Sequence, residues 1–247
     1  MGRPSGLDPL ADLVTGAEDE DPTALRFTDS RLEALALWES DPWAFLTGKD
    51  PDTGEPIIRT QDERDISAPI KPFPAHLKYL HYLVDLLQNE PKLLIEKSSQ
   101  MIVTTTVLLH SAWDFAFHPH TGMLSKHKEA EAEALIRTKV RVPWRLMPEW
   151  LKLAIPITPR PANRANWSCQ WKRGTQPMGQ LWGLTENAAA AEARGNTYTR
   201  GLIDEAEFQD MLEELITAML PRTEQLVVWS TPNTGGPGAA TFRKYAA

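Results

Sequence analysis

Apolar residues recur along this chain in two rhythms: helical spacing, and either alternation or short continuous runs. Over residues 29–47, Leu32, Leu35, Ala36 and Leu37 recur at helical spacing, with Asp29 or Ser30 as the expected N-cap. Residues 48–72 read as a loop, in which Asp50-Pro51-Asp52-Thr53-Gly54 is a turn signal. Over 74–89, Leu77, Leu80, Leu83, Val84 and Leu87 make the stripe of an amphipathic helix. Lys92-Leu93-Leu94-Ile95 is too short an apolar run for a helix and predicts a buried strand; a loop over Ser98–Val103 and a helix over Thr104–Phe117 follow. Further strands are predicted at Met123–Ser125, Trp167–Trp171, Gly179–Leu184, Thr199–Ile203 and Gln225–Trp229. Further helices are predicted at 127–141, Met147–Leu153, 187–193 and Ala206–Leu220, with another starting at Ala240–Tyr245.

This alternation predicts an α/β fold: a mostly parallel sheet with helices on both faces. The 247 residues, 42% apolar, suffice for one large α/β domain or two small ones. Residues 1–71 read as a tail and helical lead-in, and 72–247 as the core domain. The first 28 residues, acidic at Asp19-Glu20-Asp21, form a tail that is either mobile or docked on a partner, and they lack a basic-then-apolar leader. The net charge of -7 argues against generic binding of polyanions, so any nucleic-acid contact needs a local basic patch. Cys169 is the single cysteine; no intrachain disulfide is possible, which fits a reducing cytosol. No run of about 18 apolar residues occurs, so no membrane helix is expected.

Three segments carry candidate chemistry. In Gly201-Leu202-Ile203-Asp204-Glu205-Ala206, an apolar strand delivers two adjacent carboxylates. One acid of such a pair can hold Mg²⁺ against phosphates while the second orients or deprotonates an attacking water. Acids at an exposed helix start, favoured by the helix dipole, are the competing reading. Between the strand at 92–96 and the helix at 104, the loop Ser98–Thr105 stands where backbone N–H groups and a helix N-terminus cradle phosphate, and Thr104 or Thr105 supplies a hydroxyl. The glycines of such loops are missing, and Ile102 and Val103 stand where Gly-Lys would. Ser230-Thr231-Pro232-Asn233 places hydroxyl and amide groups after a Val-rich strand, where parallel sheets bind ligands; an ordinary turn fits the same residues.

Taken in order, these segments resemble the ATPase domain of phage terminase large subunits, the motors of DNA packaging. The carrying residues are Leu93 to Met101, Thr104-Thr105, Arg194-Gly195, Leu202 to Gln209, and Trp229 to Asn233, so the resemblance covers roughly 72–245. It implies a P-loop NTPase-like fold of the additional-strand, catalytic-glutamate class. It further implies ATP and Mg²⁺ as ligands, double-stranded DNA as the translocated partner, a homo-oligomeric ring on a portal protein, and a small terminase subunit nearby. The host cytoplasm during assembly is the implied location, outside the mature virion, with no membrane partner.

Residue by residue, the resemblance makes Lys97, Ser98, Ser99, Gln100, Met101, Ile102, Val103, Thr104 and Thr105 the ATP-binding loop. Thr104, with Thr105 as the near alternative, and Asp204 face the metal; Glu205 is the catalytic base. Ser230, Thr231, Pro232 and Asn233 form the coupling motif, Phe73 and Pro74 are candidates for the adenine pocket, and Arg137, Arg141, Arg194 and Arg200 for an arginine acting on a neighbouring subunit's site. The chain departs from the family in having Ser99 and Val103 where the loop's Arg or Lys belongs; Lys97 is the only cation near. It ends at Ala247, which leaves no room for the family's nuclease domain, so no DNA cleavage is expected: a separate domain, a truncated piece or a split gene. Other readings are a different nucleic-acid ATPase, and a degenerate nucleotide-binding module docked on the portal, which the cation-free loop favours.

The remaining conspicuous residues have plainer readings. His110, His118, His120 and His127 fit no tetrahedral metal spacing and read as loop and surface residues. Trp167, Trp171 and Trp182 read as core rather than base-stacking residues. Arg160, Arg164, Lys172 and Arg173 read as a solvated Pro-rich loop that can also meet DNA phosphates, and Cys169 as a small buried hydrophobe.

Overall fold

Local chain chemistry divides the predicted first helix in two in the computed structural model, which describes residues 27–61, 65, 67–99, 101–163, 166–173 and 176–246. Helix α1 spans Asp29–Ser40 and α2 spans Pro42–Thr47. Between them Asp41 is extended; its carboxylate accepts the N–H groups of Trp43 and Ala44 at 2.8 and 3.0 Å, and Pro42 takes the first helical position. The N-cap of α1 is Thr28, ahead of the predicted Asp29 or Ser30. The predicted turn forms at Gly54, with φ of 72° and its N–H on the Asp50 carbonyl at 2.8 Å. The rest of the predicted loop contains a short antiparallel ladder, β1 (Arg59–Gln61) against β2 (Ile70–Pro72). Three-residue strands are too short to leave a rhythm in the sequence.

Helix α3 (Lys78–Asn89) buries Leu80, Leu83, Val84 and Leu87, as its stripe predicts. The core continues with β3 (Lys92–Glu96), α4 (Val103–Phe117) and β4 (Thr121–Lys126). The segment predicted as one helix over 127–141 is α5 (Glu129–Leu135), a π-helical turn at Ile136–Arg141, and α6 (Val142–Arg145). Next come α7 (Glu149–Ala154), β5 (Ile157–Asn163), β6 (Asn166–Arg173), β7 (Gln176–Thr185), α8 (Glu186–Gly195) and β8 (Tyr198–Asp204). The chain then runs through α9 (Leu212–Met219), β9 (Thr223–Ser230) and α10 (Ala239–Ala246). The predicted helix over Ala206–Leu220 is a 3₁₀ turn at Ala206–Phe208 followed by α9. It breaks because Gln209 is extended and its buried amide donates to the Asp204 carbonyl at 2.8 Å.

Nine strands thus form two sheets among the described residues. The main sheet has the order β3-β9-β8-β4-β7-β6-β5. Its first five strands are parallel; β6 and β5 extend it antiparallel. The predicted Pro-rich loop is here edge strand β5, which contains Pro159 and Pro161. Proline lacks the N–H that an inner strand needs, and an edge tolerates the loss.

Side-chain alternation builds a core on each face. Leu202, Val227 and Trp229 join α1 to α4, while Ile203, Leu226 and Val228 join α8, α9 and Phe242 of α10. Helices therefore cover both faces, as predicted. Leu35, Trp38, Phe45 and Leu46 of the lead-in lie in the same apolar cluster as α4. Helix α4 is the hub: all of its residues are buried except Thr104. It crosses β7 so closely that a Cβ on Gly179 would sit 2.4 Å from the Phe115 Cα. Among the described residues no helix is long and apolar enough to cross a membrane.

Candidate functional site

Parallel strands that enter a core must leave it, and the edge where they leave is where polar residues can face a ligand. Four adjacent strands do so here. β3 is followed by Lys97, β9 ends at Ser230 and Thr231, β8 at Asp204 and Glu205, and β4 at Lys126. With the order β3-β9-β8-β4, these groups stand side by side along one edge.

They are wired together. Lys97 donates to the Thr231 hydroxyl at 3.0 Å, and the Lys97 N–H to the Ser230 carbonyl at 3.0 Å. The Lys126 ammonium donates to Asp204 Oδ2 and to Glu205 Oε2, both at 2.8 Å. Thr104 holds its hydroxyl 3.4 Å from Asp204 Oδ1 and accepts the Trp229 indole N–H at 2.9 Å. That indole fixes which way the Thr104 oxygen points, because Trp229 is fully buried. Burial pushes the Asp204 carboxyl pKa up. Burial also pushes the Lys126 ammonium down, but the two carboxylates outweigh it and its pKa is raised. The trio is thus an ion cluster whose single ammonium serves two acids.

The backbone is strained where the sequence predicted function. Ile102 and Glu205 are the only non-glycine residues with positive φ among the described residues, at 59° and 49°. A β-branched residue in the left-handed region is rare and costs on the order of 1 kcal/mol or more. Ile102 N-caps α4 without a side-chain hydrogen bond, so the first turn is left open to an anion.

A cavity of about 1080 Å³ lies against this edge. It is lined by Lys97, Met101, Ile102, Val103, Thr104, Thr105, Lys126, Asp204 and Glu205 among its polar and loop residues. Phe73 and Pro74 line the same cavity. Ser98 and Ser99 are exposed and do not line it, and Gln100 lies outside the described residues. Residues 230–233 start at the last residue of β9. Buried Ser230 accepts the Glu207 N–H at 3.1 Å, Glu207 accepts the Asn233 N–H at 2.6 Å, and Pro232 is exposed. Residues 230–233 are therefore tied to the segment that follows Glu205.

Lys126 is the site residue that sequence reasoning missed. The predicted strand stopped at Ser125, one residue short. The available signal was a lysine directly after an apolar strand.

Of the arginines considered for action on a neighbouring site, Arg200 is buried, donates from Nε to Asp114 at 2.9 Å and faces His110; it is a core cation, not a surface finger. Arg141 donates to the Ser168 carbonyl at 3.0 Å, Arg194 pairs with Glu214, and Arg137 is exposed. The histidines also depart from the surface reading. His110 is fully buried, and burial holds its pKa well below the ordinary value; Arg200 can only donate, so His110 accepts at Nδ1. His118 and His120 gather around Asp114, with Nδ1 atoms 3.2 and 3.0 Å from Oδ1. A second group brings together His127, Glu186 and Asp210. Trp171 and Cys169 are core, as read from the sequence, and Trp182 is partly buried. The side chains of Trp167, Arg160, Arg164 and Arg173 lie outside the described residues.

Comparison with known proteins gives no match to a protein-family profile and none to a curated protein. Solved structures are similar at low identity. The Thermus phage P74-26 large terminase ATPase domain is 16% identical with a TM-score of 0.43, over 57% of this chain and 59% of that one. A large terminase from a thermophilic bacteriophage is 11% identical with a TM-score of 0.46, over 63% of this chain and 38% of that one. The same terminase in complex with ATP-gamma-S has a TM-score of 0.45 at 10% identity. The matched part of this chain spans less than two thirds of each.

Proposed function

We propose that this chain is the ATP-hydrolysing domain of a terminase-like DNA-packaging motor. One observation carries the reading: the open N-terminus of α4, its Thr104 hydroxyl and the Asp204-Glu205 pair face one cavity, 3.4 Å apart at the nearest pair. The order of the motifs along the chain supports it. In this reading the first turn of α4, with Lys97 and residues 101–105, holds the phosphates. Thr104 and Asp204 are hard oxygen donors suited to Mg²⁺, which would supply charge neutralisation between β- and γ-phosphates. Glu205, whose side chain is 44% exposed, orients or deprotonates the attacking water. Phe73 and Pro74 offer the adenine an apolar wall. Residues 230–233, tied to Glu207, report the state of the site to the rest of the chain.

Double-stranded DNA, a ring of copies on a portal, a small subunit and a host-cytoplasmic setting complete the proposal. These rest on the motif resemblance. A second reading, a nucleotide-binding module without turnover, is favoured by the loop itself, which carries no cation from Ser98 to Thr105.

The test is Mg²⁺-dependent ATP hydrolysis over a wide protein concentration range, with Glu205→Ala as control. Turnover that rises steeply with concentration and is lost in the variant supports a motor whose site a neighbour completes. Binding without turnover at every concentration, with DNA present, selects the second reading.

A further inference from the structure

A loop that binds phosphates through backbone N–H groups alone leaves most of the negative charge uncompensated, and residues 98–105 supply no cation. The cavity contains lysines from elsewhere: Lys71, Lys97, Lys126 and Lys139. Lys97 is held by Thr231 at the far side of β9. Lys126 differs from the others. Its side chain is 8% exposed, it projects from the strand beside β8, and it bridges Asp204 and Glu205. A buried ammonium needs an anion, and these acids are what it has.

The geometry points to Lys126 as the cation that replaces the missing phosphate-loop lysine. It sits between the two acids at 2.8 Å from each, and would transfer to the ATP phosphates when a divalent ion takes over Asp204. This rests on the nucleotide-site reading above. The swap conserves charge pairing: the dication replaces the ammonium at the acids, and the ammonium meets the phosphates, so neither partner is left buried and alone. A lysine suits the task because its four-carbon stem moves a compact charge between two stations. Until a metal arrives, Lys126 also keeps two adjacent carboxylates from repelling each other.

Two binding measurements test this without turnover. The first is ATP affinity, by calorimetry, in EDTA and in Mg²⁺. The second is Mn²⁺ affinity without nucleotide, by electron paramagnetic resonance. For Lys126→Met the expected result is about a 10–100-fold loss of ATP affinity in Mg²⁺, where the ammonium has moved to the phosphates, and a smaller loss in EDTA, where it stays with the acids. Mn²⁺ should bind more tightly, since its competitor is gone. Lys126→Arg should restore part of the ATP affinity, and Lys128→Met, an exposed charge-matched control, should change neither quantity. Removing a buried ammonium can also unfold the chain. Glu205→Gln is therefore the second variant: it frees Lys126 from one anchor, and ATP binding in EDTA should tighten several-fold. Unchanged or tighter ATP binding in Lys126→Met, unchanged Mn²⁺ binding, or no gain in Glu205→Gln overturns the assignment while leaving the nucleotide site standing. A wild-type chain that binds no ATP in either medium overturns the nucleotide reading and this inference with it.

Discussion

The sheet has a charged cluster at each end, and they are built to opposite plans. Where the strands exit, Asp204 and Glu205 share one ammonium and one hydroxyl and face a cavity of about 1080 Å³. Where they enter, Asp114 is held by the Arg200 guanidinium, by His120 and by the nearby His118. The second cluster lies away from that cavity and is charge-matched: a buried cation meets a buried anion with imidazoles around them, although His110 Nε2 and His118 Nδ1 have no hydrogen-bond partner among the described residues. The first is open: its two acids share a single ammonium beside the cavity, and two backbone positions there are strained. A charge-matched cluster away from solvent stabilises a fold, and one with an excess acid beside a cavity is poised for a ligand. The same side-chain types thus take structural and chemical roles according to what surrounds them.

The strongest way to break that contrast is Glu205→Gln. Turnover should fall by about 10²–10⁴-fold, as for a lost general base. Thermal stability should barely move. Single-turnover hydrolysis and a melting curve on the same sample check this, and a large drop in melting temperature would mean that the exit cluster is structural after all. At the other end, Asp114→Ala leaves Arg200 buried without its anion. A loss of about 3–5 kcal/mol is expected in a denaturant titration, with nucleotide affinity of the folded fraction retained. Altered affinity at matched folding would show that the two ends are coupled through α4.

Trp229→Phe sharpens the picture further. It removes the indole N–H that orients Thr104, at a cost of about 1–2 kcal/mol in stability. Metal-dependent nucleotide binding should weaken more than metal-free binding, because only the former uses the Thr104 oxygen. Calorimetry with and without Mg²⁺ separates them. The smallest effect is in the pH dependence of the entry cluster. The Asp114 carboxylate beside His118 raises the histidine's pKa against burial. The stability this contributes is full below the ordinary value of about 6.5 and is lost as pH rises through the raised native value. Asp114 itself is lowered although burial opposes it, because His118, Arg200 and His120 surround it; its contribution is present above the ordinary carboxyl range and lost in acid. His118→Asn should flatten the alkaline side of the stability profile and weaken, without abolishing, the acid limb, which Arg200 and His120 still support.

Much of this is legible in the sequence. The strands at 92–96, 199–203 and 225–229 were marked by short apolar runs, and the acids at 204 and 205 by following one of them. The three polar segments do meet, because parallel strands that share a direction bring their ends to one edge. What was not legible has particular causes. The break at Gln209 depends on an amide reaching back to the Asp204 carbonyl. Strand β5 was hidden by prolines that only an edge position permits. Arg200 looked available because sequence does not tell which residues of a strand point at a buried aspartate. Lys126 was passed over because its partners are 78 and 79 positions away.

Sequence alone determined the fold class and the neighbourhood of the site: periodicity reports which faces are buried, and burial of alternating strands and helices admits few layered arrangements. Tertiary structure decided the charges. Which cation meets which acid, whether a histidine is core or surface, and whether a cluster is charge-matched or open all depend on contacts between distant segments. Electrostatic energies inside a protein follow distance and burial, and neither is written in the local order of residues.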